Sequence, residues 1–326
     1  MWSVRFHQGM IDIVEKPVPV PIAGEVLVKS VLAGICQTDM ELLKGYYQFD
    51  GTPGHEFVGL VAEAPGNKEW EGKRIVADIN WGCGKCRWCL LGDPRHCTQR
   101  RAMGIKHWDG AFAEYVVVPE ANLHEVGQAI TNEEAVFAEP LAAALEISRQ
   151  VPIQGNRRVL VMGDGKLGLL IALALRHYHP GLVLLGKHPE KLAVAGKQGV
   201  KTKILGSRED LTAMAGQFDL VIEATGRAEG INDAVLLTRP EGTVVVKTTS
   251  HLPSEINLAQ LVVNEITLIG SRCGNMDLAL AFLKERRLDV TPLIEAIYPI
   301  TEFALAFRHA QQPGAKKILL AMKTPS

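Results

Sequence analysis

The stretch Arg158-Val159-Leu160-Val161-Met162-Gly163-Asp164-Gly165-Lys166-Leu167-Gly168 decides the fold. Val159 to Met162 is an unbroken apolar run, as expected of a strand buried on both faces of a parallel sheet. It leads into G-x-G-x-x-G, and Lys166 to Tyr178 then has helical character. The glycine motif alone is weak. Between a strand and a helix it has the context that a dinucleotide pyrophosphate requires. Gly163 permits the tight turn, Gly165 lets phosphate approach the backbone, and Gly168 lets the helix pack close to the strand. Lys166 and Leu167 open the helix, whose first N–H groups are free to meet phosphate. A glycine-rich connection without ligand is the alternative.

Further strands follow at Leu182 to Leu185, Asp219 to Ile222 and Thr243 to Val246, with a helical stretch at Glu190 to Lys197. Strand-helix alternation of this kind argues for a doubly wound α/β unit. Its second strand ends Leu184-Leu185-Gly186-Lys187-His188 and lacks the acidic residue that would hold the adenosine ribose of NAD. Gly186 is expected to leave room for a 2′-phosphate, with positive charge from Lys187 and His188, so NADP is favoured over NAD. The alternative is that Lys187 and His188 merely begin a solvated helix.

Upstream the character changes. Glu25 to Leu32, His55 to Ala62 and Tyr115 to Val118 are β-rich and separated by Gly and Pro. Downstream of Ser271 come an amphipathic helix, Asp277 to Arg287, and a second at Phe303 to Gln311, in a tail too short to stand alone. The expected division is 1–142, 143–272, and 273–326 returning to the first part. A length of 326 residues fits two domains.

The chain is 47% hydrophobic and 22% charged, with a net charge of -1 and both signs interspersed, which excludes disorder and gives no nucleic-acid footprint. No window reaches the roughly 20 apolar residues of a membrane span. The N-terminus has no apolar core of signal-peptide length, and a cytoplasmic location is expected. Cysteines in that compartment bind metal or catalyse more often than they pair. Cys83, Cys86, Cys89 and Cys97 form C-x2-C-x2-C-x7-C, a spacing that can wrap one tetrahedral zinc. All four positions would then be filled by protein, so this zinc is expected to be structural. Free thiols or disulfides are the alternative.

Three scattered segments remain: Cys36-Gln37-Thr38-Asp39, Gly54-His55-Glu56 and Glu139-Pro140-Leu141. With the cysteine lobe and the glycine turn, and in this order, they make the chain resemble the zinc-containing medium-chain dehydrogenase/reductase (alcohol dehydrogenase) family nearly end to end. The Glu-Pro-Leu form is closest to its sorbitol and polyol dehydrogenase branch. The resemblance implies a β-rich GroES-like catalytic domain beside a Rossmann domain. It also implies a catalytic zinc, the second per chain, on Cys36, His55 and Glu139, with Glu56 at or near the metal. Asp39 would orient the ligand histidine. Thr38 would carry the substrate proton outward toward Glu41, which stands where the family often has histidine. Glu146 likewise replaces a histidine of the polyol branch. Thr225 and Arg272 would lie near the cofactor, and Lys316 and Lys317 near its pyrophosphate. The function so implied is hydride transfer between a small or medium alcohol, secondary or polyol, or its carbonyl partner, and NADP, in a homodimer or homotetramer. Two rivals stand beside it: a dehydrogenase of one bulkier biosynthetic alcohol, such as a pigment or aminocyclitol precursor, and a non-catalytic sensor or structural protein that binds zinc and nucleotide.

Overall fold

A computed structural model describes residues 1–250 and 253–322. The chain separates into two compact units. One comprises Met1–Glu139, Met276–Glu285 and the chain from Ile294 onward; the other comprises Pro140–Asn275 and Arg286–Leu293.

The second unit is built on a six-stranded sheet. Its order is Lys201–Ile204, Val183–Gly186, Val159–Met162, Phe218–Glu223, Thr238–Val246, Thr267–Gly270, with every pairing parallel. Counted along the chain this is 3-2-1-4-5-6, the doubly wound order whose crevice binds dinucleotides. Val159, Leu160, Val161 and Met162 are all buried, as are Leu220, Val221 and Ile222. The helix Lys166–Leu175 is buried continuously from Gly168 onward because it is apolar on nearly every side. The edge strand Lys201–Ile204 is exposed throughout. Its Lys-Thr-Lys-Ile sequence has no apolar run to announce it, and pairing with Val183–Gly186 alone makes it a strand.

The first unit holds a seven-stranded sheet. Its path is Ile294–Pro299, Lys317–Ala321, Glu25–Gly34, Glu56–Glu63, Arg74–Ala77, Leu123–Glu125, with Tyr115–Pro119 also pairing Glu25–Gly34. The C-terminal strand Lys317–Ala321 lies antiparallel to Glu25–Gly34, with Leu319 opposite Gly34. Gly34 is also opposite Glu56 on the neighbouring strand. The sheet thus brings residues about 20 and about 285 positions from Gly34 in the chain to one end of one strand. A hairpin of Trp2–His7 and Met10–Glu15, turned at Gln8 and Gly9 with φ of 49° and 77°, was not expected.

The return to the first unit is not the single tail expected from residue 273. Arg286–Leu293 belongs to the second unit. There the Gln198 amide donates to the Asp289 carbonyl at 2.8 Å and accepts its N–H at 2.9 Å, and the His177 ring meets the Arg287 carbonyl. Among the described residues no helix is long and apolar enough to cross a membrane.

Candidate zinc and dinucleotide sites

The cysteine lobe hangs from the short strands Asn80–Trp81 and Arg101–Ala102, where the Arg101 guanidinium lies 3.4 Å from the centre of the Trp81 ring. The thiol sulfurs of Cys83, Cys86, Cys89 and Cys97 all lie within 4.8 Å of one another. A tetrahedral zinc with bonds of about 2.3 Å wants its sulfurs roughly 3.7 Å apart, and Cys86 Sγ and Cys89 Sγ are 3.6 Å apart. A Cβ on Gly82 would fall 2.3 Å from Cys89 Sγ, so only glycine lets the chain pass this close to the sulfurs. Backbone N–H groups of Lys85 and Cys86 stabilise the Cys83 thiolate and lower its pKa to about 6. Desolvation pushes Cys89 up to about 11. The donor set fits one zinc with no position left open.

The second cluster forms where the strand Glu25–Gly34 ends. Cys36 caps the helix Gln37–Leu43, and Asp39 Oδ2 accepts the Cys36 N–H at 2.8 Å. Cys36, His55 and Glu56 each present one ligand atom, all within 4.8 Å. His55 is 3% exposed and Asp39 fully buried. Their facing atoms, His55 Nδ1 and Asp39 Oδ1, are 3.5 Å apart and have no other hydrogen-bond partner. Burial opposes the imidazolium, but the Asp39 charge and contact, reinforced by Cys36, raise the His55 pKa well above its usual value. A thiol and two carboxylates around a buried ring call for positive charge. The chemistry and spacing of these donors fit a zinc ion.

Part of that charge is already present. The Lys317 ammonium, buried, is bonded to the Glu56 carboxylate. Burial disfavours the ammonium, yet Glu56 and Cys36 hold its pKa above the ordinary lysine value. A Cβ on Gly34 would lie 2.7 Å from Glu56 Oε2 and 3.3 Å from Lys317 Cδ, so glycine at 34 makes space for the pair. Lys317 is therefore not available to a pyrophosphate. Its role had no local signal, because only the pairing of the last strand with Glu25–Gly34 brings it to Glu56.

Other expected residues stand differently. Thr38 Oγ1 is 3.7 Å from Cys36 Sγ and half-buried. Glu41 is not at an open, solvated end: it is 6% exposed and accepts from Lys44 at 3.0 Å and Gln37 at 3.2 Å. Glu139 is half-buried in the first turn of the helix Ala138–Gln150 and lies outside the three-residue cluster found among the described residues. Glu146 is buried and held by Arg149 Nε at 2.9 Å.

In the second unit, Gly163 has φ of 114°, and its added Cβ would be 2.6 Å from the Ala224 carbonyl oxygen. A Cβ on Gly168 would be 1.9 Å from the Gly163 oxygen, whereas one on Gly165 would meet nothing within 4 Å. Gly163 and Gly168 are thus demanded by packing, and Gly165 leaves open space where it caps the helix Lys166–Leu175. That arrangement fits a dinucleotide pyrophosphate. Gly186 does not leave the room expected of it. Asp164 Oδ2 would lie 2.4 Å from a Cβ there, and it accepts the Lys187 and His188 N–H groups at 2.7 Å each. The space beside Gly186 is thus taken by the Asp164 side chain. Thr225 donates its N–H and hydroxyl to Glu223 at 2.8 and 2.6 Å, the pattern of a strand-to-helix turn. Arg272 is exposed, and its carbonyl accepts from Lys247 at 2.9 Å.

A parallel sheet with a glycine-rich first turn in one unit, and two zinc-compatible clusters in the other, define a zinc-dependent, nicotinamide-dependent dehydrogenase. Residues 22–128 match the alcohol dehydrogenase GroES-like domain, and residues 167–285 match the zinc-binding dehydrogenase domain. The chain is 30% identical to the D-altritol 5-dehydrogenase of Agrobacterium fabrum over 337 residues, covering 98% of this chain and 99% of that one. Two solved structures superpose over nearly all of it. The rspB alcohol dehydrogenase of Escherichia coli CFT073, complexed with NADH, has a TM-score of 0.89 at 27% identity and covers 99% of both chains. A zinc-binding dehydrogenase of Sinorhizobium meliloti 1021, bound to NADP, has a TM-score of 0.88 at 28% identity and covers 98% of both. The chain belongs to the zinc-containing medium-chain dehydrogenase/reductase family, as an oxidoreductase acting on CH–OH groups. Its two units are a GroES-like domain and a Rossmann domain.

Proposed function

We propose that the chain is a dehydrogenase of polyols or secondary alcohols that holds two zinc ions, one structural and one catalytic. The observation that carries this reading is the Cys36/His55/Glu56 cluster, its histidine and glutamate buried, backed by Asp39. Cys36 and His55 are its fixed ligands. Glu139 supplies the third, by the family pattern, while Lys317 restrains Glu56. Bound there, zinc supplies Lewis acidity toward an alcohol oxygen, and a nicotinamide dinucleotide supplies the hydride acceptor. Asp39 fixes the orientation of the His55 ring. Thr38, beside Cys36 Sγ, takes the substrate proton. Glu41, held by Lys44, is a step removed from solvent, so proton release beyond Thr38 passes through groups other than an exposed carboxylate.

Room at Gly186 and the charges of Lys187 and His188 would favour NADP. The Asp164 carboxylate in that place turns the preference toward NAD, as argued below. The polyol assignment is supported by the 30% identical altritol enzyme. We also propose self-association through the edge strand Thr267–Gly270, because Leu258, Val262 and Val263 in the preceding helix are 67%, 75% and 79% exposed.

The test is metal analysis coupled to a substrate panel. Purified protein should carry two zinc per chain and reduce a nicotinamide dinucleotide with polyols or secondary alcohols. A chelator should abolish the activity before it removes the lobe zinc. One zinc per chain and no turnover with any alcohol would leave a non-catalytic binding protein.

A further inference from the structure

In the doubly wound fold, the cofactor's adenosine ribose is read at the end of the second strand, by an acidic residue about 20 positions beyond the glycine turn. This chain has Gly186-Lys187-His188 there, with no acid. The acid comes instead from within the glycine turn. Asp164, the first variable residue of Gly163-Asp164-Gly165, reaches across to the end of Val183–Gly186. Its Oδ2 accepts the N–H groups of Lys187 and His188, and both oxygens lie 3.1 Å from His188 Nδ1. Asp164 is 7% exposed, and Gly186 is the residue that lets it lie so close.

Two consequences follow from charge and space. The N–H groups of Lys187 and His188, which would otherwise serve a 2′-phosphate, already hold an anion. A dianionic phosphate brought to the same place would meet a buried carboxylate at close range, a like-charge contact that opposes its binding. A ribose diol meets no such penalty, and Oδ1, which takes no backbone N–H, retains acceptor capacity for a hydroxyl.

We propose that Asp164 is the residue that selects the dinucleotide, rejecting the 2′-phosphate of NADP and accepting the ribose hydroxyl of NAD. This rests on the dehydrogenase reading above. Lys187, exposed, and His188, pinned to Asp164, then do not act as phosphate readers.

The test is the dissociation constant of NAD and of NADP for the zinc-loaded protein, read by tryptophan fluorescence and calorimetry without turnover. Wild type should bind NAD on the order of 100-fold more tightly than NADP. Asp164→Ala and Asp164→Ser should bring the ratio to about one or below by tightening NADP, and Lys187→Ala should leave it nearly unchanged. Circular dichroism reports whether the Asp164 variants fold; should they not, the wild-type ratio and Lys187→Ala decide alone. Wild type binding NADP as tightly as NAD overturns the proposal. So does a ratio unmoved in folded Asp164 variants, which would make Asp164 only a clamp on the turn. If neither dinucleotide binds, the dehydrogenase reading falls with it; if both bind equally, only the selectivity assignment falls.

Discussion

His55 Nδ1 and Asp39 Oδ1 face each other at 3.5 Å, both buried and both without another hydrogen-bond partner. Buried polar atoms left so are uncommon, and this pair is explained if Asp39 orients a ring whose other nitrogen binds metal. Asp39→Ala should therefore weaken zinc binding at this site about 10–100-fold while the lobe keeps its ion. Competition with a chromophoric chelator measures it. Unchanged affinity would reduce Asp39 to a helix cap on Cys36.

The Glu56–Lys317 pair invites a stability test. Lys317→Met leaves a buried carboxylate without its ammonium, and unfolding in urea should cost about 3–5 kcal/mol less than in wild type. Adding Glu56→Gln should restore much of the loss, because the uncompensated charge is then gone. Equal destabilisation in the single and double variants would mean that Lys317 acts through its aliphatic stem alone.

In the cysteine lobe, Cys97→Ser should release one zinc per chain and leave the other in place. Gly82→Ala should do the same by steric means, since the new methyl would sit 2.3 Å from Cys89 Sγ. Elemental analysis after gel filtration gives the count. Retention of both ions in Gly82→Ala would show that the turn relaxes without losing the tetrahedral arrangement.

His124 joins the strand Leu123–Glu125 to the helix Met276–Lys284 through Asp78 at 3.1 Å and Asp277 at 2.6 Å. Burial alone would lower its pKa, but the two carboxylates more than offset this and raise it above 6.5. A raised histidine contributes its stability in full below 6.5 and loses it as pH climbs through the folded value. His124→Gln should therefore destabilise the protein by on the order of 1 kcal/mol at pH 6 and by clearly less at pH 8.5. Denaturant midpoints at the two pH values decide; an equal drop at both would assign the effect to packing.

Much of this was written locally. The apolar run Val159–Met162, the glycines and the clustered cysteines declare themselves because each is a short-range pattern with one physical reading. Lys201–Ile204 and the N-terminal hairpin were illegible because pairing alone makes them strands. The sites divide in the same way. Cys36, His55 and Asp39 stand in segments that the family resemblance singles out, whereas Lys317 becomes visible only once Lys317–Ala321 lies beside Glu25–Gly34. Gly186 was misread for a related reason. An empty-looking glycine in sequence is a filled space in the fold, because Asp164 arrives from 22 positions away. The signal that could have revealed it was an acid at a variable position of the glycine turn.

The placement of Lys317–Ala321 against Glu25–Gly34 has a consequence for synthesis on the ribosome. The Rossmann sheet has all its strands once Gly270 has emerged, but the other unit waits for Lys317–Ala321. Until then one edge of Leu32–Gly34 lacks its partner strand and Glu56 lacks the Lys317 ammonium. A nascent chain stalled before Lys317 would carry a finished nucleotide domain and an unfinished metal site. The strand Lys317–Ala321 thus acts as the closing stitch of the sheet that Glu25–Gly34 begins.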